Sequence, residues 1–223
     1  MKSMELFWKA LYDHYKWNQK TQFFLVDINW NEFEQDLSWY FRKTLDEFDS
    51  IELSLFENVA WNNLLDIGCA TWYYFPYFEN KVKNFEWIDI SETLIEICKE
   101  EWYKNVKVAD IINDKVNWKF DIITLMWNNL SIWWNIEWTK KLIWILNQLL
   151  SNEWKILSIF KKDEKDYFIW EFKNKYDWIL SESFQWIRIN INYLEELLKE
   201  QNFKLKVLSE NDYWYCLEIK KDM

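Results

Sequence analysis

The sequence predicts an α/β fold built on a doubly wound, mostly parallel sheet, and three observations carry that prediction. Between residues 63 and 160, short apolar runs alternate with segments of helical periodicity, the order that builds parallel strands joined by crossover helices. The stretch Leu64-Leu65-Asp66-Ile67-Gly68-Cys69-Ala70-Thr71-Trp72 reads as a buried strand, a tight turn and the start of a helix. The final runs, FKLKVLSE (203–210) and YWYCLEIKK (213–221), read as an antiparallel pair that completes a sheet of seven strands. A length of 223 residues suits one such domain with a cap.

Taken in order, residues 4–16 form an amphipathic helix, with Phe7, Leu11 and Tyr15 on one face and Tyr12 beside them. Residues 22–28 and 31–37 alternate and flank Asn29-Trp30, so they read as a hairpin. Short helices follow at 45–48 and 51–59. Residues 1–60 therefore form a cap, and 61–223 a core. The core strands are expected at 63–67, 85–90, 105–109, 119–126 and 155–160. Helices are expected at 73–80, with Pro76 in the first turn where proline is tolerated, and at 92–101, with Ser91 as N-cap. The segment 137–150 places Leu142, Ile145, Leu146, Leu149 and Leu150 at helical spacing, so that face packs on the sheet. Residues 161–182 are charged and read as an irregular surface insertion, extended to 191 by an alternating strand at 183–191. Asn192 and Glu195 look like a capping box for a helix at 192–201.

The balance of 27 basic against 37 acidic residues leaves a net charge of −10, which argues against a phosphate-backbone partner. Three widely spaced cysteines and one histidine, without a Cys-x-x-Cys pair, argue against a structural zinc site. No apolar run reaches the roughly 18 residues of a membrane span, and the N-terminus lacks a signal-peptide core. A soluble, cytoplasmic protein is the expectation. His14 assembles no nucleophilic triad.

The strand ending in Asp66-Ile67-Gly68-Cys69-Ala70 resembles the cofactor loop of class I S-adenosylmethionine-dependent methyltransferases, whose pattern is Asp-x-Gly-x-Ala/Gly-x-Gly. The resemblance covers about 60–160 and 192–220. It implies a Rossmann-like sheet, S-adenosyl-L-methionine as cofactor, and methyl transfer to a small-molecule acceptor. Small residues suit this loop because the cofactor presses on its backbone. By the resemblance, Asp66, Gly68, Ala70 and the position of Trp72 line the methionine and ribose. Asp89, at the end of WIDI (87–90), accepts from both ribose hydroxyls, a bidentate match to a vicinal diol, with Ile90 beside it. Asp110 and Ile111 face the adenine. Met126 lies in the loop under the transferred methyl, and Asn128, Asn129 and Tyr12 are candidates for the acceptor. No catalytic residue is assigned. A nicotinamide-binding loop fits poorly, because its third glycine would fall at Tyr73. Two other readings stay open: a non-catalytic S-adenosylmethionine-binding protein, and an interaction protein whose tryptophans fill the pocket.

One position departs from the pattern, since the family has glycine where Trp72 stands. The chain holds 19 Trp and 1 Gly, where a typical composition gives roughly 16 glycines. Tryptophan also stands where glycine chemistry is expected: at Trp30 in the hairpin turn, at Trp102, Trp118 and Trp154 at element breaks, and at Trp133-Trp134 in a loop. Trp87 and Trp127 occupy glycine positions of the resemblance. The expectation is that most of these are glycines encoded by UGA, a codon some bacterial codes read as glycine and others as tryptophan.

Overall fold

The computed structural model describes residues 2–17, 22–59, 62–114, 119–131 and 135–222. Helix α1 (Ser3–Trp17) buries Leu6, Ala10 and Leu11. Strands β1 (Phe23–Asp27) and β2 (Glu32–Gln35) pair as the expected hairpin. Two 3-10 turns, Leu37–Phe41 and Leu45–Glu47, lead to α2 (Ser50–Glu57), which Asp49 caps by accepting from the Ile51 N–H. The alternating core follows: β3 (Asn63–Ile67), α3 (Phe75–Glu79), β4 (Asn84–Asp89), α4 (Glu92–Glu100), β5 (Val106–Val108), β6 (Phe120–Leu125), α5 (Ile136–Leu149) and β7 (Leu150–Lys161). The chain ends with β8 (Tyr167–Tyr176), β9 (Ile179–Ile189), α6 (Ile191–Lys199), β10 (Phe203–Glu210) and β11 (Trp214–Lys221).

The main sheet has seven strands in the order β10-β11-β7-β6-β3-β4-β5. Strands β7, β6, β3, β4 and β5 run parallel, while β11 is antiparallel to both β7 and β10. The chain builds outward from β3 through β4 to β5, then returns to place β6 and β7 on the other side. That reversal between β3 and β6 opens a crevice at the carboxyl ends of the strands. Each strand alternates between two apolar clusters. One joins Leu64, Trp87 and Ile122 to α1, α2, α3 and α4. The other joins Leu65, Ile88 and Ile123 to α5 and α6. Burying each such Leu or Ile contributes roughly 1.5–3 kcal/mol.

The segment 161–182 is not irregular. It forms β8 and the connection into β9, and this long hairpin pairs with β1 to make a second sheet, β2-β1-β8-β9. Its pattern was obscured because the two ends of the hairpin bury different faces. Near the tip, Asn174 and Tyr176 face α1, donating to the Ser3 carbonyl (2.6 Å) and to Asp13 (2.8 Å). Near the base, Ile187 and Ile189 join the α5–α6 cluster. The cap and the insertion are thus joined through one sheet.

Other boundaries shift for local reasons. Asn190, not Asn192, caps α6 by accepting from the Tyr193 N–H. Ser91 caps α4 as expected, accepting from the Leu94 N–H. The helix expected at 73–80 is only Phe75–Glu79, with Pro76 in its first turn. Trp154 lies inside β7 rather than before it, where the pairing with β6 shifts register.

Three described tryptophans occupy left-handed backbone, where a Cβ is crowded. Trp30 has φ 64° and ends a three-residue hairpin loop, longer than the two-residue Asn29-Trp30 turn expected, in the place a G1 bulge gives to glycine. Trp102 has φ 70° and follows α4. There its N–H bonds to the Lys99 carbonyl and the Tyr103 N–H to that of Cys98, a Schellman arrangement whose left-handed residue is usually glycine. Trp127 (φ 45°) and Asn128 (φ 69°) are the central pair of a turn closed from the Asn129 N–H to the Met126 carbonyl, the sign pattern of a type I′ turn. Trp118, Trp133 and Trp134 lie outside the described residues.

Trp102 is 87% exposed, so its indole contributes little packing. Left-handed backbone costs a non-glycine residue roughly 1–2 kcal/mol. Trp102→Gly should therefore raise stability by about 1 kcal/mol in denaturant titration, although glycine is the more flexible residue in the unfolded chain. A loss of stability would show that the Schellman geometry imposes no strain here.

Candidate functional site

Asp66, Gly68, Ala70, Asp89 and Asp110 come together at the carboxyl ends of β3, β4 and β5, beside the crevice where strand order reverses. The turn after β3 is docked onto the end of β4. The Gly68 and Cys69 N–H groups both donate to the Ile88 carbonyl (2.9 and 3.1 Å), and the Ala70 N–H donates to Asp89 Oδ2 (2.9 Å). The other Asp89 oxygen accepts from the Ser91 N–H (2.9 Å). Gly68 (φ 73°) and Ala70 (φ 51°) both take left-handed backbone, which curls the turn around this carboxylate.

Gly68 has a second constraint. A Cβ there would lie 2.5 Å from Asn129 Nδ2, which donates to the Ile67 and Gly68 carbonyls (3.0 Å each). Asn129 therefore clamps the turn. Asn128 is buried, accepts from the Lys161 N–H (3.2 Å), and sends its own N–H to the Ile159 carbonyl (2.7 Å). Both side chains bond to this chain's backbone and tie the β6 loop to β3 and β7.

Burial sets the state of the carboxylates. Asp66 is fully enclosed, accepting from Tyr74 (2.6 Å) and from the Thr124 hydroxyl. Desolvation pushes its pKa up to about 7, against the lowering effect of the two hydroxyls. Asp89 is raised to about 6, again chiefly by burial, with its backbone donors pulling the other way. Asp110 is half-buried, and it accepts from the Ile112 N–H and the Asn113 amide within its own turn. Ile111 and Met126 are buried, whereas Ile90 is 53% exposed beside Asp89.

Trp72 does not have the positive φ that its glycine-like position raised as a possibility; the left-handed residues of the turn are Gly68 and Ala70. Its indole is buried against Tyr103, with the Lys43 ammonium over the ring (5.6 Å) and its Nε1 without a partner among the described residues. Trp87 is enclosed between Phe75 (4.0 Å, stacked) and Phe78, and its Nε1 is likewise unpartnered. Tyr12 lies on α1 beneath the Lys16 ammonium (5.3 Å). Side chains absent from the sequence reading connect the cap to the turn instead. The Thr71 hydroxyl donates to the Tyr40 carbonyl, and Tyr40 packs edge-on to Tyr73. Arg42 forms a buried two-pronged pair with Glu52 (2.7 and 2.9 Å), ringed by Trp39, Phe48 and Tyr73. Thr124 was findable, because it is a polar residue in the otherwise apolar run 122–126, in register with Asp66. Tyr40 and Arg42 carried no such signal. A cavity of about 200 Å³ between β1 and β8, lined in part by Trp30 and Phe172, lies outside this cluster.

The donors and acceptors fit S-adenosylmethionine at the ribose. Asp89 presents a buried carboxylate with one backbone donor on each oxygen, so each keeps a lone pair for a hydroxyl. The Trp72 indole is the misfit, because it adds bulk beside a turn whose neighbours are Gly68 and Ala70.

No family model matches the sequence, and no curated protein matches it by sequence. Solved structures match its fold. An S-adenosylmethionine-dependent methyltransferase from Bacteroides fragilis, in complex with S-adenosyl-L-homocysteine, superposes with a TM-score of 0.83 at 20% identity, covering 97% of this chain and 94% of that one. That coverage takes in the second sheet. A methyltransferase of the same cofactor class from Clostridium acetobutylicum gives 0.59 at 15% identity, covering 77% and 88%. The N-methyltransferase NodS from Bradyrhizobium japonicum, also with S-adenosylhomocysteine, gives 0.54 at 12% identity, covering 78% and 84%. The chain has the α/β fold of these enzymes, with its mostly parallel seven-stranded sheet. No described helix is long and apolar enough to cross a membrane.

The Asp66 shift has a consequence for stability. A carboxyl whose folded pKa is raised binds its proton more tightly when folded. Its stabilising contribution is full below about 3.8 and is lost as pH rises towards about 7. Asp66→Asn should flatten that decline, an effect on the order of a few kcal/mol across the window. Thermal melts at several pH values read it. An unchanged pH slope in the variant would place the titration elsewhere.

Proposed function

We propose that this chain transfers the methyl group of S-adenosylmethionine to a small-molecule acceptor. The observation that carries the reading is the glycine-containing turn wrapped around Asp89 at the point where strand order reverses. The likeness to methyltransferases along almost the whole chain supports it. When bound, the cofactor supplies a sulfonium-linked methyl group already activated towards a nucleophile. In this reading Asp89 accepts from the ribose hydroxyls and the 68–70 backbone packs against the cofactor. Ile90 flanks the ribose. Asp110 and the Ile111 backbone address the adenine, and Met126 and its loop lie at the methyl. Asp66 orients the turn from beneath, through Thr124 and Tyr74, rather than meeting the ligand directly. Residues 1–60 and 161–191 together roof the acceptor site above the core, excluding water and aligning the acceptor. NodS is an N-methyltransferase by name, and an amine acceptor is compatible with the reading here. The cytoplasm is the proposed location.

We further infer that Trp30, Trp72, Trp87, Trp102 and Trp127 are glycines read from UGA codons. Three of them adopt positive φ in three different turn types that favour glycine. Trp72 and Trp87 each bury an indole N–H without a partner, which costs roughly 1–3 kcal/mol. UGG codons at these positions would end the inference.

Two titrations with S-adenosylhomocysteine test the site. In the first, Asp89→Ala removes up to two charge-assisted hydrogen bonds, worth roughly 1.5–3 kcal/mol each at most, so affinity should fall at least tenfold. An unchanged dissociation constant would make the carboxylate purely structural. In the second, the chain as printed should bind weakly, Trp72→Gly should bind better, and replacement of Trp72, Trp87 and Trp127 together should bind best. Equal binding by the printed chain and the triple variant would make Trp72 a native part of the site. Release of S-adenosylhomocysteine from S-adenosylmethionine in a mixture of candidate metabolites separates an enzyme from a non-catalytic binder.

A further inference from the structure

At the carboxyl end of β7, next to the loop expected at the methyl, lies a cation that forms no ion pair among the described residues. The Lys161 N–H is held by Asn128 Oδ1 (3.2 Å), so its backbone is anchored to the β6 loop. In the β7–β11 register Lys161 faces Trp214, and its ammonium lies over the rings of Trp214 (4.7 Å) and Tyr213 (5.0 Å). This is the face of the sheet that carries Asp66, Asp89 and Met126, by the two-residue alternation along each strand. Among the described residues the Lys161 ammonium has neither an ion pair nor a hydrogen bond. Its neighbour Lys162, by contrast, is paired with Glu210 at 2.6 Å.

A second cation stands close by. Arg188, near the end of β9, is almost buried and donates through Nε (2.9 Å) and Nη2 (2.8 Å) to the same oxygen of Asp163. Lys161, Asp163 and Arg188 sum to one positive charge, half-buried, in a chain of net charge −10. Burial and the Arg188 charge both push the Lys161 pKa down, with Asp163 only partly offsetting them. The charge of a bound anion would oppose this lowering.

We propose that Lys161, supported by Arg188, binds an anionic group of the acceptor, so that the methyl acceptor is a carboxylate- or phosphate-bearing small molecule. Held there, the acceptor's far end reaches the loop at Met126. Lys161 is then a specificity-determining residue rather than a catalytic one. The proposal rests on the methyltransferase reading for the identity of the acceptor, but the anion site can be measured without it.

The test is calorimetric titration of the full chain at low ionic strength with inorganic phosphate and, separately, with glutarate. Each titration is run with and without saturating S-adenosylhomocysteine. At least one anion should bind, Lys161→Gln should weaken it tenfold or more, and Lys161→Arg should retain it. S-adenosylhomocysteine affinity should be the same in all three proteins, which also reports that the variants fold. Binding of phosphate alone identifies a phosphate-bearing acceptor, and binding of glutarate alone a carboxylate-bearing one. No binding of either anion, or equal binding by Lys161→Gln, overturns the proposal. Absence of S-adenosylhomocysteine binding even after Trp72, Trp87 and Trp127 are each replaced by Gly, with the anion result intact, would instead fail the methyltransferase reading.

Discussion

The carboxylate of Asp89 is the joint on which the carboxyl edge of the sheet depends. One oxygen takes the Ala70 N–H and the other the Ser91 N–H, so one side chain fixes both the turn after β3 and the start of α4. Backbone bonds from Gly68 and Cys69 to the Ile88 carbonyl reinforce the first attachment. The arrangement is made in a desolvated place, where a carboxylate is costly unless its lone pairs are used. The same geometry leaves it able to accept two more hydrogen bonds, which is what a vicinal diol offers.

Around this joint the loops are locked by amides rather than by bulk. Asn129 crosses from the β6 loop to the β3 turn and requires the bare Cα of Gly68. Asn128 ties the same loop to β7. Three strand ends are thereby held in one geometry, so a ligand bound at one would be placed relative to the others. The second sheet contributes by topology. Because β1 pairs with β8, the N-terminal segment and the excursion after β7 are joined in one sheet.

The tryptophans divide by environment. Those at 30 and 102 are largely exposed, and their backbone is the informative part, since a left-handed residue that packs little has small reason to carry an indole. Trp72 and Trp87 are enclosed, and their cost lies in unpartnered N–H groups rather than in backbone angles. Trp127 combines positive φ with a hydrogen bond from its indole to the Tyr73 hydroxyl (3.1 Å).

The sequence by itself determined the succession of parallel core strands, the antiparallel closing pair, and the convergence of Asp66, Asp89 and Asp110. Parallel strands buried on both faces read as near-continuous apolar runs, and Asp66, Asp89 and Asp110 stand at or just past the carboxyl ends of three of them. It also determined that the turn at Gly68 must be tight, because the chain keeps its one glycine there. Only the tertiary structure decided the rest. Of the β8–β9 hairpin only the alternating run within β9 was legible; β8 and the pairing were not, because the two ends of the hairpin bury opposite faces. The roles of Asn128, Asn129 and Asp66 depended on partners far away in the chain, namely Lys161, Gly68 and Thr124. Lys161 and Arg188 are 27 residues apart and look like two surface cations among many. They become neighbours only when β9 folds back beside the end of β7, and no local pattern in either strand encodes that approach.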